Sequence, residues 1–240
     1  LLEVRIDLTV HSLKDLPGDL PAGLKLGAVP EREEPWDVLV SRGGESIRGL
    51  PPGSRVGTSS LRRQAQLKRY RNDLDVVDLR GNVDTRLRKV SEGEVAGAIL
   101  AAAGLNRLGH GERVTERLAP ELMLPAVGQG ALGLEVREGD SGTMAALAGL
   151  DHEPTRQAVA AERSVMAYLE GGCQVPLAAF AEFRGDVLHL RGIVASLDGQ
   201  RVIQAEQECA PEEGIVAGEM LARQLLELGG GKILQEIRNV

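Results

Sequence analysis

The chain has 240 residues, is 42% hydrophobic and carries a formal net charge of −7. That suits two or three compact units and argues against bulk nucleic-acid binding. Aromatic residues make up 2%, which excludes a stacking surface for single strands, and no apolar run approaches the roughly 18 residues that cross a bilayer.

In chain order, Val4, Ile6, Leu8 and Val10 alternate with Arg5, Asp7 and Thr9, so a strand is expected over 4–10. It is already under way at Leu1, as in a chain lacking its true start. His11-Ser12-Leu13-Lys14-Asp15 follows at the strand's carboxyl end, where open α/β sheets carry ligand chemistry. For Asp15, a turn or cap carboxylate beside Leu16-Pro17 is an equal reading. After a strand over 24–29, the charged, proline-bracketed segment 30–35 reads as a crossover between domains. Strands at 38–41, 55–57, 76–79 and 97–101 then alternate with helices over 60–71 and from Asp84, a βα succession with a mainly parallel sheet. A second crossover at 124–130 leads into a strand over 131–136 that can return to the first sheet, which describes a two-lobed clamp.

Charge singles out one stretch of this succession. Residues 57–89 hold nine Lys/Arg against four Asp, a net +5 on an acidic protein, which points to a particular anion. Thr58-Ser59-Ser60 supplies hydroxyls for a helix N-cap, and Arg62 and Arg63 fall in the first helical turn, where they oppose the helix dipole unless an anion sits there. Arg80 and Arg86 follow the next strand, and two successive strand-to-helix turns of a parallel sheet open on one edge. A solvated helix face accounts for Lys68, Arg69, Arg71 and Lys89.

From about Asp151 the pattern changes to a helix over 153–169, strands over 177–183, 187–195 and 201–208, and a last helix over 212–228, a separate α+β domain with an antiparallel sheet. Two cysteines, Cys173 and Cys209, are too few for a disulfide framework and suit a reducing cytoplasm. Cys173 follows Gly171-Gly172. It is either a space-filling thiol or an exposed nucleophile activated by nearby cations. The four histidines and two cysteines show no metal-ligand spacing.

Taken together, HSLKDLP at 11–17, ERE at 31–33, VGTSSLRRQ at 56–64, LRGNVDTRL at 79–87, LPAVGQGALGLE at 124–135 and LEGGCQVP at 169–176 resemble the porphobilinogen deaminase (hydroxymethylbilane synthase) family, in order and spacing over essentially the whole chain. A departure is Trp36, where the family pattern has a basic residue. The resemblance implies an α/β fold of two periplasmic-binding-protein-like lobes with mainly parallel sheets plus a small α+β C-terminal domain. Residues 1–30 and 131–150 would form the remainder of the first lobe, 31–130 the second with its crossovers, and 151–240 the domain carrying the cofactor cysteine.

It also implies the reaction, the head-to-tail condensation of four porphobilinogen molecules with loss of ammonia to form hydroxymethylbilane. A dipyrromethane cofactor would be held by a thioether to Cys173, with Asp15 as the catalytic carboxylate. Arg32, Arg62, Arg63, Arg80 and Arg86 match residues that hold the acetate and propionate groups of cofactor and growing chain, a task suited to the bidentate guanidinium. Ser12, Lys14, Thr58, Ser60, Asn82 and Gln129 fall in the same motifs as cofactor contacts or cleft supports. The protein is expected to be cytoplasmic and, when full length, a monomer whose partner is porphobilinogen, with no nucleic acid, membrane or metal. The family also places an R-x-A-T-R-x-S segment before Leu1, so this chain by itself is expected to be inactive and prone to association. The alternative is a non-catalytic two-lobed receptor for a carboxylated small molecule. It explains the arginines but not a cysteine after Gly-Gly in a third domain.

Overall fold

The computed structural model describes residues 1–18, 20–169 and 175–238. In chain order its elements are β1 (Leu8–Ser12), β2 (Leu24–Ala28), β3 (Asp37–Ser41), β4 (Arg55–Gly57), α1 (Leu61–Tyr70), β5 (Asp75–Val77), α2 (Val83–Glu92), β6 (Gly97–Ala101), α3 (Ala102–Arg107) and β7 (Glu116–Arg117). Then come β8 (Leu132–Arg137), α4 (Ser141–Leu147), α5 (Glu153–Tyr168), β9 (Leu177–Arg184), β10 (Val187–Ala195), β11 (Val202–Cys209), α6 (Gly214–Leu225) and α7 (Gly231–Arg238). The class is α/β with a C-terminal antiparallel sheet.

Three sheets organise the chain. The central one has the order β5-β4-β6-β3-β7. It is mixed: β4 runs parallel to β5 and β6, whereas β3 runs antiparallel to β6 and β7. Strand β3 (DVLVS) is buried along its whole length, with Val38 and Val40 packed against α2 residues Leu87 and Val90, and Leu39 against Leu67 of α1. Each such side chain removed from water stabilises the fold by about 2 kcal/mol.

The first sheet has the order β1-β8-β2, and both of its pairings are antiparallel, not parallel. Strand β8, which follows the second crossover, lies between β1 and β2 and runs against both. Its pairing also limits β1. The ladder runs from Leu8↔Val136 to Ser12↔Leu132 and ends one residue short of the end of β8 at Arg137. The expected strand over 4–10 is therefore displaced toward the carboxyl end: Val4 has φ 57 and Arg137 ties down residues 1–7 through Leu1 O, Ile6 O and Asp7 Oδ1. His11 and Ser12 lie inside β1, and Leu13–Asp15 forms a 3-10 turn after it.

The third sheet, β11-β10-β9, packs on α5 and α6 through Ala161, Val165, Leu188, Leu190, Leu221 and Leu225. The single last helix expected over 212–228 is instead α6 and α7, joined by a π-turn over Leu226–Gly230. Gly229 (φ 110) takes a backbone conformation closed to other residues and breaks the helix there.

Candidate active cleft

Helix α1 brings its first turn to the edge of the central sheet because Ser60 caps it, accepting the Arg63 amide, and because β4 ends at Gly57. Helix α2 is capped in the same way by Asn82, whose Oδ1 accepts from Thr85 N at 2.9 Å. Between these starts, the Leu13–Asp15 turn and the C-terminal domain lies a cavity of about 290 Å³. Lys14, Asp15, Ser60, Arg62, Arg63, Arg86 and Gln129 face it, as does Ser59. Its other wall is apolar, made by Ala126, Val127, Met166 of α5, Val175 and Leu177.

The arginine pair does not stand alone in this cavity. Asp37, fully buried at the start of β3, receives Arg62 Nη1 on Oδ2 at 2.7 Å, and Arg63 Nε and Nη2 on Oδ1 at 2.9 and 2.6 Å. Backbone oxygens take more of the two forks: Leu124 O accepts from Arg62 at 2.6 Å and Ile99 O from Arg63 at 3.0 Å. Burial on its own would raise the Asp37 carboxyl, but the charges and hydrogen bonds of Arg62 and Arg63 hold it down at about 2.

Among the described residues the cleft still carries surplus positive charge: Lys14, Arg62, Arg63 and Arg86 stand against Asp15 and Asp37, an excess of two cations. Its effect is visible in the neighbours. Lys14 is pushed below the usual ammonium range by burial and then by Arg63, and Arg86 is lowered by burial and then by Arg63. A polar orphan lies in the same wall. Gln129 donates through Nε2 to Pro35 O at 2.6 Å and to Asp37 Oδ1 at 3.1 Å, yet its buried Oε1 has no hydrogen-bond partner.

Other residues expected in the site sit elsewhere. Arg32 does not line the cavity, because Glu162 of α5 takes its guanidinium in a bidentate pair (2.5 and 3.2 Å) while its Nε donates to Gln129 O at 2.8 Å. Glu162, itself fully buried, also accepts the amides of Gly128 and Ala181, so the pair joins both crossovers to the C-terminal sheet. At Gly130 the crossovers come so close that a Cβ would lie 2.4 Å from Glu33 O. Arg80 has an 85% exposed side chain and pairs with Asp78 at 2.8 Å, outside the cavity. Thr58 is buried and its hydroxyl accepts from Ser60 N at 3.2 Å, Asn82 serves as a helix cap, and Ser12 ends β1 opposite Leu132. Cys173 lies outside the described residues. Trp36 packs its ring 5.0 Å from Phe180 at a tilt of 56°, so the departure from the family pattern falls on the contact with the C-terminal sheet.

Asp37, Glu162 and the wall residues Met166, Val175 and Leu177 escaped the sequence reading. For Asp37 a signal was present, an acidic residue opening the apolar run Val38-Leu39-Val40, since a carboxylate buried with such a run needs a cation. Among the described residues no cluster of His, Cys, Asp and Glu could hold a metal, and no helix is long and apolar enough to cross a membrane.

The chain is similar to known proteins over nearly its whole length. Residues 1–145 match the family model described as porphobilinogen deaminase, dipyromethane cofactor binding domain, and residues 156–227 match porphobilinogen deaminase, C-terminal domain. The porphobilinogen deaminase of Desulforudis audaxviator is 53% identical over 238 residues, covering 99% of this chain and 77% of that protein. That of Carboxydothermus hydrogenoformans is 50% identical, covering 99% and 76%. A periplasmic binding protein of Salmonella typhimurium matches with a TM-score of 0.33 and 20% identity over 53% of this chain and 57% of that one, a likeness too slight to carry an argument. The chain belongs to the porphobilinogen deaminase family.

Proposed function

We propose that this cleft is where the protein condenses four porphobilinogen molecules head-to-tail, with loss of ammonia, to give hydroxymethylbilane. The observation that carries the reading is the excess of two cations, among the described residues, around a cavity whose described lining holds one carboxylate, Asp15, from the cleft-facing turn. Substrate and cofactor pyrroles each bear two carboxylates, so they supply the missing negative charge, while their ring N–H groups suit the orphaned acceptor of Gln129.

The residues present thus fit the dipyrromethane cofactor of the family. When bound, it supplies the primer to which the first substrate pyrrole is joined. Lys14, Arg62, Arg63 and Arg86 would hold its carboxylates, Ser59 and Ser60 would add hydroxyl contacts, and Met166, Val175 and Leu177 would exclude water from the ring faces. Asp15 then faces the positive charge that develops on a substrate pyrrole as ammonia leaves, stabilises it and steers the proton transfers at the pyrrole nitrogen. Arg32, Arg80, Thr58, Asn82 and Ser12 act as supports of the cleft or on the carboxylates of the lengthening chain beyond it.

Cys173, two residues before the wall residue Val175, is the attachment point in this reading, and residues 1–30 with 131–150, 31–130 and 151–240 are its three domains. Cys209 is a free thiol raised above its ordinary range by burial and then by Glu213 and Glu212, the reverse of what a nucleophile needs. The protein acts in the cytoplasm as a monomer. An intact-mass spectrum tests the proposal. The protein, produced with the segment that the family resemblance places before Leu1, is expected to carry the added mass of a dipyrromethane that Cys173→Ala loses and Cys209→Ala keeps; equal loss from both variants, or a bare wild-type protein, defeats it.

A further inference from the structure

We propose that Asp37 is a positioning residue of the carboxylate clamp, setting the direction in which Arg62 and Arg63 present their remaining N–H groups to the cleft. This rests on the reading of the cleft given above. Successive residues of a helix point about 100° apart. Helix α1 alone therefore gives no reason for two adjacent guanidinium groups to converge, and their like charges oppose it. Asp37 supplies the reason. Its two oxygens collect one fork each, Oδ2 from Arg62 and Oδ1 from Arg63, from a strand that is buried at every position. Leu124 O and Ile99 O fix the second direction of each fork. These bonds leave both guanidinium groups with unused donors, and both residues line the cavity.

The same Oδ1 also accepts from Gln129 Nε2, whose amide nitrogen reaches Pro35 O. One carboxylate thus ties the arginine pair to the segment entering β3 and to the segment leaving toward β8, the two crossings of the chain between its first and central sheets. Only a carboxylate can do this. The amide of asparagine would turn a donor toward one guanidinium, and any neutral group would leave the buried pair uncompensated.

The test separates direction from charge. Asp37→Glu keeps the charge but moves the carboxylate by about one C–C bond, ~1.5 Å, a displacement of the size that costs about 10²-fold when it falls on a positioned group. Wild type, Asp37→Glu and Asp37→Asn, all produced with the segment that the family resemblance places before Leu1, are compared as purified holoproteins by intact mass, thermal midpoint, KM and kcat for porphobilinogen, and porphobilinogen affinity by calorimetry. A positioning role predicts that Asp37→Glu stays folded while KM and the dissociation constant rise at least about tenfold, with kcat falling less. Asp37→Asn is expected to lose cofactor occupancy as well. If it fails to fold, the glutamate variant decides. Affinity and occupancy within about twofold of wild type in Asp37→Glu, even with a lowered thermal midpoint, would reduce Asp37 to a charge partner and overturn the proposal. A wild-type protein that binds porphobilinogen without turning it over sinks the catalytic reading, yet leaves the affinity ratio to judge Asp37; a wild type that does not bind it sinks both.

Discussion

The two strand-to-helix turns of the basic stretch look alike on paper and differ in the folded chain. The turn from β4 into α1 places Arg62 and Arg63 inside the protein on Asp37, whereas the turn from β5 toward α2 leaves Arg80 in solvent on Asp78 and brings only the half-buried Arg86 to the cavity. Arg62, Arg63 and Arg80 each have a carboxylate partner, whereas Arg86 donates through Nε to Gly81 O, so pairing does not separate Arg80 from the buried pair. Burial does. A buried guanidinium can be neither rehydrated nor swung away, so its remaining donors keep one direction, while the exposed pair is screened and mobile.

The largest expected consequence is on stability. Arg63→Leu strips the buried Asp37 of its two-bond partner and is expected to cost about 3–5 kcal/mol, read as a lowered denaturant midpoint with unchanged slope. A loss below about 1 kcal/mol would place Asp37 and Arg63 in a far wetter setting than 0% and 5% exposure describes. Next comes Asp15→Asn. Asp15 is exposed, so its amide variant should keep its fold and covalent cofactor and lose about 10²–10³-fold in kcat. Near-normal turnover would return Asp15 to the role of a turn residue.

Acid sharpens the comparison at an intermediate size. Because the folded-state pKa of Asp37 is depressed to about 2, its pairing stabilises fully above the ordinary carboxylate range near 4 and is lost as pH falls through about 2. The lost contribution is about 2 kcal/mol. An acid titration should therefore show wild type losing stability between pH ~4 and ~2, with that component absent from Asp37→Asn; matching acid limbs would contradict the buried pairing. Smallest is Arg80→Leu, expected to change stability by less than about 0.5 kcal/mol. Any effect on the enzyme should then appear in chain growth, by accumulation of short intermediates, and unchanged elongation would confine Arg80 to the surface.

Much of this molecule was legible before any coordinates. The strands at 55–57, 97–101 and 187–195 fall where apolar alternation and turn residues put them, the helix after Ser60 follows from its cap, and the helix from Glu153 follows from its apolar face. These are local properties, decided by sterics and hydrogen bonding within a few residues. The short helix α4 and strand β7 were not anticipated, since seven and two residues are too few to carry a period. The place of β1 was also out of reach. An alternating run from Val4 to Val10 reads as strand by itself, but the ladder on β8, a strand more than 120 residues away, begins only at Leu8.

By itself, then, the sequence determined the family motifs, the local elements and the presence of a concentrated positive field. Only the tertiary structure decided which arginines that field consists of: Asp37 turns Arg62 and Arg63 inward, Glu162 removes Arg32 from the cavity, and Arg80 stays in solvent beside Asp78. The physical reason is that a guanidinium's surroundings depend on counter-charges and burial supplied by distant segments. Asp37 lies 25 residues from Arg62, and Glu162 lies 130 from Arg32. Charge can be counted along a chain, but desolvation arises only where the folded segments meet.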